Sequence, residues 1–515
     1  MMRRFVAKAL TLVISASLAV LIAAGAKRNA GGEHARGARH EEDSRRSRLA
    51  WWVELGPNGQ AIARAITSHA DCPFIELDHA RHRMSLRAGP ETIPQRPTAS
   101  SPQDSKPSEF PVRTCEYSIP EGTQVARITV EDEEGEQEEP EARAFGHDDS
   151  EFSTERSRGH LLPLPKRNPR RIVILGDTGC RLKIGDPWQA CSDTKEWPLQ
   201  TIAETAVRFK PDLVLHVGDY HYRENQCPPD IGGCQDSPWG YGWDTWDADL
   251  FKPAAKLLAA APWIMVRGNH EECARAGQGW YRFLDTQPYK PIRTCNDPAN
   301  DAIANYNDPY AVPIGDDAQI IVFDSSKVSK TKLAPTDAAF ANYQDELHKV
   351  AALAAAKPDA LSIWTNHHPL LAFSPLTGTT VTGGNPALLS VMYATYGTAY
   401  YPPGIGLVLH GHTHILEAVN YSTKHPPTFV IGNGGDNLDI NLPDPFPSNA
   451  HPDGAFASAV DVEEIAHTST FGFVVADRGI DGTWTFRVYT RQGRLLTTCE
   501  FAAAKTSCSQ LGFLH

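Results

Sequence analysis

Five apolar runs between residues 171 and 414 each end in polar residues. In chain order they are "RIVILGDTG" (171–179), "DLVLHVGDYHY" (212–222), "PWIMVRGNHE" (262–271), "LSIWTNHHP" (361–369) and "GIGLVLHGHTH" (404–414). Short apolar runs bounded by turn residues are typical of buried β-strands. Longer stretches with helix-like composition lie between them, such as residues 194–209 and 337–356. The alternation predicts an α/β fold in which helices cover a sheet.

The residues before this region have a different pattern. From residue 50 to about residue 145, apolar and polar residues alternate, as in "AWWVELGPNGQAIARAITS" (50–68), which predicts half-buried strands. A Pro/Ser-rich stretch (90–111) and an acidic run (131–145) interrupt the pattern. We expect both to be solvated loops, with a calcium site as the alternative for the acidic run. A proline-rich linker near residues 161–170 then separates a predicted N-terminal β-rich domain (27–165) from a second domain (166–515).

The first 26 residues have the order of an export signal. A basic start, "MMRRFVAK", precedes the apolar core "ALTLVISASLAVLIA" and the small residues "AGA". This pattern predicts a cleaved signal peptide (1–26), with a retained membrane anchor as the alternative. We therefore expect a secreted, periplasmic or cell-surface protein with no transmembrane segment after cleavage.

Composition and charge narrow the possible partners. A hydrophobic content of 41% and a charged content of 22% are ordinary for a globular protein. The formal net charge of −13 argues against nucleic acid or an anionic membrane as the main partner, because both repel an acidic surface.

The ten cysteines agree with export, because disulfides persist in oxidising compartments. They occur in neighbouring couples, which predicts five intrachain disulfides that close local loops. We expect Cys227 to pair with Cys234, Cys499 with Cys508, and Cys180 with Cys191. A zinc cluster is the alternative, but the chain contains no C-x-x-C spacing.

Polar side chains capable of binding metals stand at all five predicted strand ends: Asp177, Asp219, Tyr222, Asn269, His270, His367, His368, His412 and His414. Taken singly, each residue is typical of a turn or a helix cap. Ligand sites in open α/β sheets lie at the carboxyl ends of the strands, so we expect these side chains to meet. Carboxylates, a carboxamide, a phenol and imidazoles form a nitrogen and oxygen donor set for two metal ions.

The five motifs resemble those of the metallophosphoesterase (calcineurin-like phosphoesterase) superfamily and, within it, the purple acid phosphatases. The matching stretches are "GDTG" (176–179), "GDYHY" (218–222), "GNHE" (268–271), "NHHP" (366–369) and "GHTH" (411–414). The wider superfamily has Asp-x-His in the first motif, whereas position 179 here is Gly. In the purple acid phosphatase pattern a tyrosine of the second motif, here Tyr222, replaces that histidine. The resemblance implies two packed β-sheets flanked by helices, preceded here by the small N-terminal β-domain.

The same resemblance implies which residues hold each metal ion. The first ion would bind Asp177, Asp219, Tyr222 and His414, and the second would bind Asp219, Asn269, His367 and His412. Asp219 would bridge both ions. A phenolate is a hard anionic donor, so we expect Fe³⁺ in the first position and a divalent Fe, Zn or Mn ion in the second.

Three further histidines are candidates for roles outside the ligand set. His270 is the candidate catalytic residue that stabilises or protonates the leaving oxygen, with a packing role as the alternative. His368 and His221 are candidates for substrate contact. Within "NHHP", the resemblance assigns the ligand position to His367 and the variable position to His368.

The resemblance implies a secreted phosphatase that hydrolyses phosphate monoesters of small molecules through a metal-bound hydroxide. A phosphodiesterase of the same superfamily, acting on nucleotides or lipid headgroups, is the first alternative, since the same metal ligands would serve it. A secreted binding protein without catalysis is the second. "ILEAVN" (415–420) departs from the tail that follows the last motif in the larger purple acid phosphatases, so no substrate-contacting residue outside the motifs is carried over.

Overall fold

The computed structural model describes residues 49–97, 105–129, 159–454 and 460–515. The described residues form one compact unit. The predicted signal peptide, the acidic run and residues 98–104 of the Pro/Ser-rich stretch lie outside the described residues. Within the described residues, no helix is both long enough and apolar enough to cross a membrane.

The described residues before 166 form ten strands: β1 (Leu49–Leu55), β2 (Ala61–Thr67), β3 (Phe74–Leu77), β4 (Ala80–Arg83), β5 (Ser85–Ala88), β6 (Glu91–Ile93), β7 (Ser108–Phe110), β8 (Arg113–Ile119), β9 (Ala126–Thr129) and β10 (His160–Leu161). The later residues form β11 (Arg171–Leu175), β12 (Leu213–His216), β13 (Trp263–Met265), β14 (Tyr310–Pro313), β15 (Ala318–Val322), β16 (Leu361–Thr365), β17 (Ser374–Thr377), β18 (Thr380–Thr382), β19 (Ile405–His410), β20 (Leu416–Tyr421), β21 (Thr428–Ile431), β22 (Val462–Thr468), β23 (Gly472–Arg478), β24 (Trp484–Thr490), β25 (Leu495–Ala502), β26 (Lys505–Cys508) and β27 (Gly512–Phe513).

The α-helices of the described residues are α1 (Leu199–Val207), α2 (Trp243–Trp246), α3 (Ala255–Leu258), α4 (Gly277–Phe283), α5 (Asp301–Ala304), α6 (Ala338–Ala355) and α7 (Pro386–Tyr396). The five predicted strands are present as β11, β12, β13, β16 and β19. The two helix-like stretches contain α1 and α6, so both helices of the sequence analysis are confirmed.

Two large sheets carry the five strands. The first has eleven strands in the order β26-β25-β24-β23-β11-β12-β13-β1-β2-β8-β5, with β11, β12 and β13 parallel to one another. The second has eight strands in the order β14-β15-β16-β19-β21-β20-β22-β27, with β15, β16, β19 and β21 parallel. Parallel strands need crossover connections, which the intervening helices supply.

The core explains why the sheets face each other. One hydrophobic cluster joins alternate residues of both sheets, such as Ile172 and Leu213 of the first with Ile320 and Leu407 of the second. Two further clusters bury the outer faces, one beneath α1 and α3 and one beneath α6 and α7. Strands buried on both faces read as continuous apolar runs, which is the pattern seen in the sequence. The predicted fold of two packed sheets flanked by helices is confirmed.

The N-terminal β-strands are present, and some of them extend the first sheet. β1 pairs in parallel with β13 and in antiparallel with β2, so β1, β2, β8 and β5 form one end of that sheet. β10, β9, β3 and β4 form a separate four-stranded sheet. The division into domains at residues 165 and 166 stays a prediction, and hydrogen bonds between strands cross that position.

All ten cysteines lie within the described residues, and all are paired. The disulfides are Cys72–Cys115, Cys180–Cys191, Cys227–Cys234, Cys273–Cys295 and Cys499–Cys508. Each cysteine pairs with its nearest neighbour in the couple, so the predicted count and the predicted pairings are confirmed.

Candidate metal centre

The carboxyl ends of five strands from both sheets supply the candidate centre. Asp177 follows β11, Asp219 follows β12, Asn269 follows β13, His367 follows β16 and His412 follows β19. The parallel strands in each sheet end at the same edge, and the two sheets face each other. The polar residues of both sheets therefore converge at one end of the sandwich.

Three of these residues have a left-handed backbone conformation, with φ of 54° at Asp177, 57° at Asp219 and 73° at His412. Such conformations cost free energy in residues other than glycine, and they cluster at functional sites. Neighbouring glycines permit them by leaving space. A Cβ atom on Gly268 would lie 2.1 Å from Asp219 Oδ1, and one on Gly411 would lie 2.5 Å from Asp177 Oδ2. The glycines of the "GN" and "GH" motifs thus let the carboxylates approach the turns.

The Tyr222 hydroxyl is the meeting point of one group of side chains. Its Oη lies 3.0 Å from Asp177 Oδ1, 2.9 Å from Asp219 Oδ2 and 3.0 Å from His414 Nε2. A phenol carries one hydrogen and can donate it to only one of these neighbours. These residues are the four predicted ligands of the first ion.

Two histidines are oriented by backbone carbonyl groups. His414 Nδ1 lies 2.7 Å from the carbonyl oxygen of Asn437, and His367 Nδ1 lies 2.9 Å from that of Val217. A nitrogen that donates to a carbonyl oxygen leaves the lone pair on the opposite ring nitrogen. In both residues that opposite nitrogen, Nε2, faces the carboxylates, 3.3 Å from Asp177 for His414 and 3.0 Å from Asp219 for His367.

Asp219, His367 and His412 form a second group. Each has a ligand atom within 4.8 Å of the other two, a spacing that suits one metal ion. Asn269 joins this group, since its Oδ1 lies 2.9 Å from His412 Nδ1. The structure thus brings together the seven predicted ligands, with Asp219 common to both groups. Their role as ligands stays a prediction.

The charge of the centre favours cations. Burial opposes a charged imidazole, yet Asp219 and Asp177 raise the pKa of His367 to about 9. Burial likewise opposes charge on His414, while Asp436 and Asp177 raise its pKa to about 9. Burial raises the pKa of Tyr222 well above its usual value, and the two aspartates add to that effect. Buried carboxylates beside a phenol and imidazoles fit metal ions, because a cation compensates the clustered negative charge.

His270 lies beside this centre in a network of its own. Its ring centroid is 3.8 Å from that of Tyr222, and its Nδ1 lies 3.1 Å from Glu224 Oε1. Arg275 Nη2 approaches the same ring to 2.6 Å and forms an ion pair with Glu224. Burial and the Arg275 guanidinium lower the pKa of His270 to about 3.

The two other predicted histidines differ in position. His368 lies at the centre, with its ring centroid 4.2 Å from that of His412 and its Nδ1 3.2 Å from Ser325 Oγ. His221 is not brought to the centre. It is fully buried, 5.5 Å from the Tyr241 ring and 5.8 Å from the Trp246 ring. Substrate contact by either residue stays a prediction.

Sequence reasoning missed Glu271 although it ends the "GNHE" motif. Its buried carboxylate accepts four backbone N–H bonds: from Tyr220 (2.9 Å) and His221 (3.2 Å) at Oε1, and from Asp219 (3.2 Å) and Gly268 (3.0 Å) at Oε2. It therefore ties the turn after β12 to the turn after β13.

A second missed group supports His414 and Tyr222. Asp436 Oδ2 lies 3.5 Å from His414 Nδ1 and pairs with Arg181, whose guanidinium carbon lies 4.8 Å from the Tyr222 ring centroid. The available signal was the stretch "VIGNGGD" (430–436), which begins at the end of β21 and ends in Asp436.

Residues 170–416 match the family model of calcineurin-like phosphoesterases. Among solved structures, a purple acid phosphatase from yellow lupin seeds is 14% identical, with a TM-score of 0.47 over 88% of this chain and 74% of that one. A structure of PhoD is 11% identical, with a TM-score of 0.47 over 90% of this chain and 91% of that one. At these values neither structure supports an activity or a substrate for this chain. No curated protein matches it.

Proposed function

Because residues 170–416 form a calcineurin-like phosphoesterase domain, we propose that the protein is a secreted phosphatase that hydrolyses phosphate monoesters at a centre of two metal ions. The observation that carries the proposal is the convergence at the Tyr222 hydroxyl, which has two carboxylate oxygens and an imidazole nitrogen within 3.0 Å. That arrangement suits a trivalent cation better than a hydrogen-bond network, since the one phenol hydrogen cannot satisfy three neighbours.

In this proposal, seven side chains hold the two ions. Asp177, Tyr222 and His414 bind the first, Asn269, His367 and His412 bind the second, and Asp219 binds both. When bound, the ions supply Lewis-acid activation of a water and of the phosphoryl oxygens. The first ion is Fe³⁺, because a phenolate is a hard donor, and the second is divalent Fe, Zn or Mn.

Two further histidines, His270 and His368, act on the substrate in this proposal. His270 stabilises the leaving oxygen of the ester, and the contact of its Nδ1 with Glu224 holds the ring beside the centre. His368 contacts the substrate beside His412. Export of the protein is supported by the five disulfides, which suit an oxidising compartment.

The test compares one monoester with one diester that share a leaving group. Purified protein is assayed with p-nitrophenyl phosphate and with bis(p-nitrophenyl) phosphate, and kcat/KM is measured for both. We expect a preference for the monoester of about tenfold or more. Preference for the diester would replace the proposal by a phosphodiesterase. Turnover of neither, at full metal occupancy, would favour a binding protein.

The Asp219→Asn variant, purified in parallel, is the blank for contaminating phosphatases. Because Asp219 belongs to both ligand groups, the phosphatase activity of the variant should fall to background. Equal activity in the blank and the wild type would mean that the measured hydrolysis belongs to another protein.

A further inference from the structure

A cavity of about 600 Å³ lies apart from the candidate metal centre, and none of the predicted ligands lines it. Its walls include Lys195, Arg491 and Arg494, together with Glu196 and Phe471. A volume in this range is that of a small-molecule site rather than of a gap in packing.

The charge of this cavity opposes that of the whole chain. Three cations and one carboxylate line it, whereas the chain has a formal net charge of −13. Among the described residues, Lys195, Arg491 and Arg494 form no ion pair with an acidic side chain, and Arg494 Nη1 donates to the backbone oxygen of His515 at 2.7 Å. Three cations against one carboxylate around one concave surface give a local excess of positive charge that attracts anions.

Hydrogen bonds hold two of the cations on an ordered turn. The backbone N–H of Thr490 donates to the carbonyl oxygen of Arg494, and Arg494 N–H donates to Thr490 Oγ1. Arg491 Nη1 donates to the carbonyl oxygen of Lys195 at 2.5 Å, and its guanidinium carbon lies 5.8 Å from the Phe471 ring centroid. Arg494 Nη1 donates to the backbone oxygen of His515, so both guanidinium groups are positioned before any ligand binds, which lowers the entropy cost of binding.

The cavity also borders the loop that orients His414. Leu438 lines the cavity. The preceding residue, Asn437, accepts from His414 Nδ1, and the following residue, Asp439, accepts from the backbone N–H of His414. An anion in the cavity would thus lie next to a loop of the candidate centre without contacting its predicted ligands.

We propose that this cavity is a second, non-catalytic binding site for anions that carry two linked phosphate groups. Guanidinium groups match phosphate oxygens in a bidentate geometry, and three cations spread around the cavity can contact more than one phosphate group. The volume also exceeds what one phosphate group fills. The inference stands on this cavity alone and does not rest on the proposed phosphatase activity.

The test is isothermal titration calorimetry of the full chain with methylenediphosphonate, whose P–C–P bond resists hydrolysis. Orthophosphate is the second titrant. We expect wild-type protein to bind methylenediphosphonate at one site beyond the metal centre, more tightly than orthophosphate. Lys195→Ala and Arg494→Ala should each weaken that event about tenfold, since each removes one charge-assisted contact.

Lys424→Ala is the matched control, because Lys424 is exposed and does not line the cavity. Arg494→Lys keeps the charge but loses the bidentate geometry, so it should weaken binding less than Arg494→Ala does. Circular dichroism checks that each variant is folded. Lys195→Glu is a second variant that removes the positive charge at this exposed position. Hydrolysis of p-nitrophenyl phosphate should be unchanged in all of these variants, which separates this site from the proposed function.

Two results would overturn the inference. Isotherms that are identical in wild type, Lys195→Ala and Lys195→Glu would show that the cavity binds no such anion. Equal affinity for orthophosphate and methylenediphosphonate at this site would show that linked phosphate groups are not what it recognises.

Discussion

Replacement of Glu271 by glutamine tests how the two turns of the centre are held together. The carboxylate accepts four backbone N–H groups, two at each oxygen. A glutamine side chain fills nearly the same volume but has one oxygen and one NH₂ group. The NH₂ group would then face two of the four N–H donors, whichever way the amide is oriented.

The expected loss follows from those two donors. A buried N–H group left without an acceptor costs about 1–3 kcal/mol, so Glu271→Gln should lower the free energy of unfolding by about 2–6 kcal/mol. Burial and the neighbouring Asp219 raise the pKa of Glu271 to about 8, and the N–H donors of Tyr220 and Gly268 lower it. If only the cost of burying the carboxylate mattered, Glu271→Gln would leave the free energy of unfolding unchanged or raise it.

The assay is urea unfolding at pH 9, above the pKa of about 8 of Glu271, so that its carboxyl group is ionised, and it is followed by tryptophan fluorescence and circular dichroism. Glu417→Gln is the matched control, because Glu417 is equally buried but, among the described residues, accepts only the N–H of Phe373, which a glutamine oxygen can also accept. We expect a large loss for Glu271→Gln and none for Glu417→Gln. Equal stability of Glu271→Gln and wild type would refute the assigned role of the four hydrogen bonds.

Three further results are expected. Asp219→Asn should lower kcat by about a thousandfold and weaken both metal ions, measured by turnover and elemental analysis, and near-normal turnover would exclude the shared-ligand assignment. Protein loaded with Fe³⁺ should show a visible charge-transfer band that Tyr222→Phe abolishes. A wild-type protein that holds Fe³⁺ but has no such band would contradict the assignment of Tyr222 as a phenolate ligand. Burial raises the pKa of Glu417 from 4.5 to about 8, so the native state holds a proton that the unfolded state releases between these values. Wild-type stability should therefore fall relative to Glu417→Gln as pH rises from 5 to 8, by up to about 1.4 kcal/mol per pH unit, and parallel stability curves would contradict the shift.

The strands and their polar ends could be predicted because the information is local. Runs such as "RIVIL" are apolar on both faces, and the strands they form are buried between the opposite sheet and the helices. The disulfides were predictable for the same reason, since every pair joins cysteines 7 to 43 residues apart.

Long-range pairing could not be predicted from the pattern. β1 pairs with β13, and Glu54 of β1 lies opposite Trp263, more than two hundred residues away. Neither segment contains a sequence pattern that identifies the strand with which it pairs. The networks around His270 and His414 depend in the same way on Arg275 and Arg181, which sequence spacing does not connect to the motifs. His221 stands beside Tyr222 in sequence, yet it is buried among aromatic rings because successive residues of a turn point in different directions.

Metal dependence of hydrolysis tests the central claim most directly. Chelator-treated protein is titrated with Fe³⁺ followed by Zn²⁺, and phosphate release from p-nitrophenyl phosphate is measured after each addition. Seven donors in two groups that share Asp219 predict that activity reaches its plateau at two metal equivalents per chain and is low at one. Full activity at one equivalent, or activity that persists without metal, would contradict a centre of two ions.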